Sequence, residues 1–448
     1  MSNLQITPRV PLRLPSAVAT FGIGIAGYLG VNLSPYMITA LQSALGSDVL
    51  TASWIVTATL LATAITGLAI ARFCAGPLRR PVARIGLTLS VVGFAAAALL
   101  PVPALVVTGL ILGGIGAGGA VAASGAALAA FVNPERVAGV NGLANRGVVT
   151  VILAIVPLVG LAPISVFGVL ALFSLAMLFT SMWLPAAPVP VAVVASASTT
   201  GPAGLGASAG SEASAGSEAS ASAAARRVTI AGFGLLVCFA LWAASEDSLW
   251  AMAGFMGAEQ AGLTAEGLGI ALSGATAAGL VGAVLLMIVG ERLGRAVPLA
   301  VLLVTGGVLK IVEGYVTDPT SFIVIFIAWN AVYAIAFMYF VATASGLDAD
   351  GRWSGPLFAV YLVGSALTPV IGAALVEVFG FEGFTLVLGV SSFVLAVPAF
   401  AIARLSSRIE RRADASSARS AETDVRTDSA TDADAATDAA TLEAGAAR

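Results

Sequence analysis

Histidine is absent from this 448-residue chain, and cysteine occurs only twice, as Cys74 and Cys238, with no partner spacing between them. Zinc and iron–sulfur sites, histidine proton relays and Cys–His nucleophiles are therefore excluded as working readings. The two cysteines read as small residues facing lipid or core. Charge is scarce as well, at 10% of residues, where an average soluble domain carries about 25%. So few charges leave the surface of a water-soluble particle of this size unwetted. A phosphate-loop lysine motif is missing, which argues against ATP-driven pumping. Alternating strand-length segments are missing too, so an outer-membrane barrel does not fit.

Apolar residues dominate instead. They make up 58% of the chain, and the mean hydropathy is +0.99. A helix needs about 20 mostly apolar residues to cross roughly 30 Å of hydrocarbon, and runs of that kind recur along most of the chain. The 50 glycines and the alanine-rich texture suit spans that pack backbone to backbone. The pattern predicts an all-α polytopic membrane protein of about twelve spans. Span one runs from Ala17 to Ala44, and the others lie near 51–71, 85–101, 104–132, 138–161, 164–184, 228–257, 266–289, 297–316, 320–345, 355–377 and 384–404.

Charge placement tests that count. With the N-terminus inside, one set of connections holds Arg72, Arg79, Arg80, Arg84, Arg136, Arg226, Arg227, Arg292, Arg295 and Arg352. The opposite set holds Asp48, Glu259, Glu266, Asp318 and Glu382, with neither lysine nor arginine. Positive residues gather in cytoplasmic loops, so both termini are expected in the cytoplasm. Multi-pass insertion in the plasma or inner membrane follows.

Composition also divides the chain. Residues 1–16 read as a cytoplasmic leader, and 17–184 and 228–404 as two six-helix bundles. Between them, 185–227 is Ser-, Ala- and Gly-rich with the near repeat GSEASAGSEASAS, the composition of a flexible linker. The tail, 405–448, is Ala, Ser, Thr and Asp and reads as disordered. The net charge of −3, much of its acid in that tail, gives no pointer to nucleic acid. Lipid and a small solute are the expected partners, and a monomer the expected state.

Ionisable residues inside spans are costly and are functional candidates by default. Arg146 lies about nine residues into span five, roughly 13 Å deep, on a polar stripe with Asn141, Gly142 and Asn145. It either binds an anionic solute group, pairs with a carboxylate, or snorkels to headgroups. Span seven carries Ser245-Glu246-Asp247-Ser248. Four consecutive residues fan around most of a helix, so either the helix is unwound there or it borders a water-filled opening. A carboxylate shut away from water takes a proton more readily, which makes Glu246 and Asp247 the proton-coupling candidates. The competing reading is a structural pair with Arg146 or Lys310. Lys310, the only lysine, and Glu313 are three apart in span nine and are expected to pair with each other. Pro35 is expected to uncoil span one between Asn32 and Tyr36. With Trp250, Asn330 and Tyr333, these complete the solute-binding candidates.

The layout of six spans, a long loop and six spans resembles the major facilitator superfamily. That family carries Gly-x-Leu-Ala-Asp-Arg-x-Gly-Arg-Arg between spans two and three, and again between spans eight and nine. Here the second copy reads Gly290-Glu291-Arg292-Leu293-Gly294-Arg295, with Met287 at the leading glycine. The first keeps Arg79-Arg80-Pro81-Val82 but has Ala75 at the acidic position. Gly109 to Val132, followed by Asn133-Pro134-Glu135-Arg136, is similar to the family's fourth span. From Leu249-Trp250-Ala251 through Ala261-Gly262-Leu263 to Gly294-Arg295, the chain resembles sugar-efflux-like permeases. The resemblance implies a gradient-driven transporter without a cofactor, a small organic solute, and proton-coupled efflux, with uptake by symport as the alternative. Arginines in these loops either only enforce topology or act as a gate. A gate would pair them with acids or helix C-termini across the gap between helices, and it would involve Arg79, Arg80, Glu291, Arg292, Gly294 and Arg295. A membrane enzyme would need a nucleophile or metal cluster that the spans do not offer. A non-transporting receptor of the same fold is the reading from another class. Gly114, Gly116 and Gly119 spell a dinucleotide-binding pattern, but no strand precedes them. Gly109, Gly113 and Ala117 are spaced for tight helix packing instead.

Overall fold

The computed structural model describes residues 9–186, 211–289, 294–347 and 353–446. Among these residues it is all α-helix apart from one 3-10 turn and a single isolated bridge, Val10 to Phe131. The first half holds α1 (Leu14–Asn32), α2 (Ser34–Leu45), α3 (Val49–Cys74), α4 (Arg79–Leu99), α5 (Pro103–Leu128), α6 (Pro134–Val159) and α7 (Pro163–Thr180), then a 3-10 turn, Ser181–Trp183. The second holds α8 (Ser211–Ala261), α9 (Ala265–Val289), α10 (Ala296–Glu313), α11 (Pro319–Ser345) and α12 (Ser354–Ala446). Eleven of these segments are long and apolar enough to cross a membrane.

Two local breaks reconcile the helices with twelve crossings. α1 and α2 are one span interrupted at Leu33, where Pro35 cannot continue the hydrogen-bond ladder of the turn before it. The opposite happens in α12, which is interrupted at Gly380, whose φ of 68° suits a residue without Cβ. The chain reverses there. Ser365 donates to Asp247 and Ser391 donates to Ser245, so the helix passes the same depth of α8 on both sides of Gly380. Residues 211–261 and 354–446 are helical throughout apart from that reversal.

Short connections make successive spans antiparallel, so arginines collect at one end of the bundle and acids at the other. At the acid end, Asp48 caps α3 by accepting from the Thr51 amide at 2.6 Å, and Asp318 caps α11 by accepting from the Ser321 amide at 2.9 Å. Those bonds hold both exposed carboxyls below the usual aspartate value.

Glycine sets the first half's packing. Gly93 of α4 lies against the backbone of Gly109 and Gly113 of α5, and Gly86 against that of Gly116 and Gly119. A β-carbon at Gly93 would overlap the α5 main chain, so the two helices meet more closely than larger residues allow.

The apolar core is forked. At the acid end one cluster includes both halves, from Leu29, Tyr36 and Leu153 to Met252, Leu272 and Phe384. Towards the arginine end it separates into a second-half branch around Phe239, Trp242 and Phe340 and a first-half branch around Ile23, Leu87 and Ala123. Bonds between the halves follow the same division. Thr57 accepts from the Val370 amide at 3.2 Å, Trp250 donates to the Asn32 carbonyl at 3.1 Å, and Thr150 donates to Thr276 at 2.8 Å. Among the described residues the halves are joined at the acid end and part towards the arginine end.

Candidate functional site

The fork's blind end lies at the level of Ser245–Ser248. α8 is unbroken helix through these four residues, and all four are buried. The expectation of an unwound segment is thus corrected. The physical reason is that α8 is ringed by polar partners from α10, α11 and α12, so a regular helix satisfies every direction of the fan.

Glu246 points to one side. Its Oε1 accepts from Lys310 Nζ at 2.7 Å, and its Oε2 accepts from Trp329 Nε1 at 2.6 Å. Lys310 is wholly buried and spends its other two protons on Ser245 Oγ at 2.9 Å and Ser392 Oγ at 2.7 Å. An ammonium with three donors is thereby fully satisfied. Of the alternatives weighed for span seven, the pair with Lys310 is the one formed.

Lys310 and Glu313 do not pair with each other, which corrects the local pairing expected from their spacing. Lys310 has a closer partner across the helix interface, and Glu313, also wholly buried, has no hydrogen-bond partner on either carboxylate oxygen among the described residues. Nor does Glu313 snorkel.

Asp247 is held from α11 and α12. Its Oδ1 accepts from Tyr333 at 3.3 Å, and its Oδ2 accepts a short bond from Ser365. Tyr333 and Tyr361 share a further hydrogen bond of 3.1 Å. Trp242 stacks on Tyr333 with ring centres 5.3 Å apart, which holds the phenol in place. From the other half, half-buried Arg146 lies within electrostatic reach of both tyrosines. Its guanidinium rests on Gly279 of α9, where a β-carbon would stand only 2.5 Å from it. No ion pair forms at Arg146 among the described residues. The blind end therefore presents an unpaired cation from one half and a hydrogen-bonded carboxylate from the other.

The remaining candidates sit elsewhere. Tyr36 is wholly buried and donates to the Leu153 carbonyl at 2.8 Å, so it braces α2 against α6. Asn32 bonds its own helix at Tyr28, and its carbonyl accepts from Trp250. These three belong to the acid-end seam. Asn145 is half-buried, and Asn330 is buried with its Oδ1 unpartnered among the described residues.

Loop arginines tie their own halves. Arg79, buried, donates to the Cys74 and Pro185 carbonyls at 2.9 and 3.2 Å, and Arg80 donates to the Leu184 carbonyl at 2.7 Å. Arg295, just after Gly294, pairs with Glu410 of α12 at 2.8 Å. Helix-end carbonyls are the partners expected of a gating loop, but none of these bonds joins the two halves, because the branches have parted at that end. Glu291 and Arg292 lie outside the described residues.

Sequence reasoning missed Trp329, Tyr361, Ser365 and Ser392. Tyr361 and Ser365 are four apart, hence on one helix face, and that was a usable signal. Ser392 in an apolar run was not.

Comparison with known proteins agrees with this architecture. The family model described as Major Facilitator Superfamily matches residues 18–350. No curated protein matches the chain. Among solved structures, a peptide transporter POT in complex with sulfate superposes with a TM-score of 0.65 at 14% identity, covering 91% of this chain and 99% of that one. A D-xylose-proton symporter gives 0.62 at 16% identity, covering 85% and 95%. The human organic anion transporter MFSD10 (TETRAN) gives 0.60 at 14%, covering 87% and 100%.

Proposed function

The chain belongs to the Major Facilitator Superfamily, and from that premise we propose that it moves a small organic solute by alternating access, coupled to protons at Asp247 or Glu246. It is a transport protein rather than an enzyme. The observation that carries the proposal is the blind end of the forked core. Arg146 of one half lies within electrostatic reach of Tyr333 of the other, which donates to Asp247 of that same second half, at the depth where the two halves must part or close.

Rocking the halves about that level would close the arginine end and open the seam held by Thr57, Thr150 and Trp250. The solute would sit between Arg146 and the Tyr333–Tyr361 pair, and an anionic group on it would complete the unpaired guanidinium. Proton binding at Asp247 would remove the charge that Tyr333 and Ser365 now stabilise, and so bias the rocking. The arginine distribution supports a cytoplasmic arginine end; we place the chain in the cell membrane, with one chain as the working unit. The cleft is then open to the cytoplasm in this state.

Efflux is the direction we favour, on the resemblance of Leu249 to Arg295 to efflux permeases; symport is the second reading. Purified protein in liposomes, with a pH-sensitive dye inside and a panel of solutes outside, tests all of this. Solute-dependent proton flux is expected, and its sign relative to solute movement separates export from symport. Asp247→Asn is expected to lower that flux by about tenfold or more. Full gradient-driven transport in both Glu246→Gln and Asp247→Asn would remove these two carboxylates from the coupling step.

A further inference from the structure

The buried charges of this molecule are unevenly paired. Among the described residues the buried charged side chains are Arg79, Glu246, Asp247, Lys310 and Glu313. Three of them, Glu246, Lys310 and Glu313, lie behind the cleft in the second half, with one cation for two acids. The ammonium is committed to Glu246. Both oxygens of Glu246 accept hydrogen bonds, from Lys310 and from Trp329, which is the pattern of an ionised carboxylate. Glu313 receives no hydrogen bond and is wholly enclosed, so an ionised carboxylate there would have no counter-charge.

The geometry gives Lys310 a second place to go. Glu313 is three residues further along the same helix, where side chains stand about 5–6 Å apart at Cβ and can meet. The four-carbon stem of lysine is long enough to turn from one acid to the other. We propose that Lys310 alternates between Glu246 and Glu313, and that the proton resides on whichever acid the lysine has left. The proposal rests on the proton-coupled reading only for its use in transport.

The step balances within the cluster. In the state described, Lys310 is an ammonium on Glu246 and Glu313 is a neutral acid. An N–H bond of Lys310 breaks and an O–H bond forms at Glu246. The resulting amine turns and takes the proton of Glu313, re-forming an ammonium that now pairs with the Glu313 carboxylate. One ammonium, one carboxylate and one carboxylic acid exist before and after. Ser245 and Ser392 hold the lysine in its first position. Gln260 lies beside the second, donating to the Glu313 and Val316 carbonyls at 2.9 and 2.6 Å, with its own Oε1 unpartnered. The other elements packed on α10 bring few competing charges. α8 supplies Asp247 beside Glu246. The buried faces of α11 and α12 supply Trp329, Tyr333 and Thr385 and no charged side chain among the described residues, while Asp318 and Glu382 stay exposed at the acid end.

Infrared difference spectra of the full chain in phosphatidylethanolamine and phosphatidylglycerol liposomes test this, with protons as the only ligand. The band to follow is the C=O stretch of a protonated, solvent-shielded carboxyl, read against Asp247→Asn to remove any contribution from that residue. Glu313→Gln, isosteric with the neutral acid, is expected to fold and to lose the band. Glu246→Gln is the decisive variant, because the freed lysine should recruit Glu313 and ionise it, so the band should vanish there too. If it persists in Glu246→Gln, Glu313 is merely a buried neutral acid and the alternation is overturned. Persistence in Glu313→Gln overturns the assignment of the proton. If instead the spectra behave as expected but neither Glu246→Gln nor Asp247→Asn alters solute-dependent proton flux, the assignment of coupling to these two carboxylates falls and the lysine alternation stands.

Discussion

The two halves share a topology and differ in what fills them. In the first, α4 and α5 meet glycine to glycine, and the only buried charge among the described residues is Arg79, spent on main-chain carbonyls. The second buries Glu246, Asp247, Lys310 and Glu313 among tryptophan and tyrosine. One half is built for close, unchanging contact, and the other for rearrangement of protons and hydrogen bonds. A repeat fold can thus divide labour, because each half must satisfy only its own interior.

That contrast can be broken from the second half with the largest effect. Lys310→Ala leaves Glu246 as an uncompensated buried charge, which costs about 3–5 kcal/mol. Thermal melting in detergent should fall markedly, and adding Glu246→Gln should recover much of the loss. An unchanged melting point in the single variant would mean that Glu246 is not ionised there. In the first half, Gly93→Val places branched carbons against the α5 backbone, an overpacking cost of about 1–3 kcal/mol. Its melting point should drop while the pH profile of transport by the surviving protein stays put. A shifted profile would show that the first half takes part in coupling after all.

Smaller effects sharpen the comparison. Glu410→Ala removes the partly exposed partner of Arg295, and such pairs are worth about 0–1 kcal/mol. Little change in melting is expected, and less still at high salt. The smallest effect concerns the caps Asp48 and Asp318. Their carboxyls are held below the ordinary value, so their contribution is present above the unfolded pKa of about 3.9. It is lost as pH falls through the lower folded value. Asp48→Asn should therefore flatten the acid limb of stability slightly, its small cost showing at neutral pH and vanishing below the folded value; an acid limb as steep as the parent's would contradict the cap assignment.

The fold was largely legible because hydropathy and arginine placement are properties of single segments. Apolar runs report span length directly, and Pro35 marked the break at Leu33 because a missing amide acts locally. Pairing inside the site was not local. Lys310 and Glu313 looked like partners from spacing alone, yet the lysine reaches Glu246, 64 residues away, because α8 and α10 both pack on α12. Ser245–Ser248 suggested an uncoiled helix because their partners on three other helices could not be counted from one segment.

The Lys310–Glu246 pair also bears on electricity. Moving one elementary charge through a membrane potential costs about 2.3 kcal/mol per 100 mV. A half that carries its lysine, one carboxylate and one neutral acid together carries no net charge from that cluster. Voltage then acts on that half through Asp247 and whatever the solute site holds, and not through the lysine cluster.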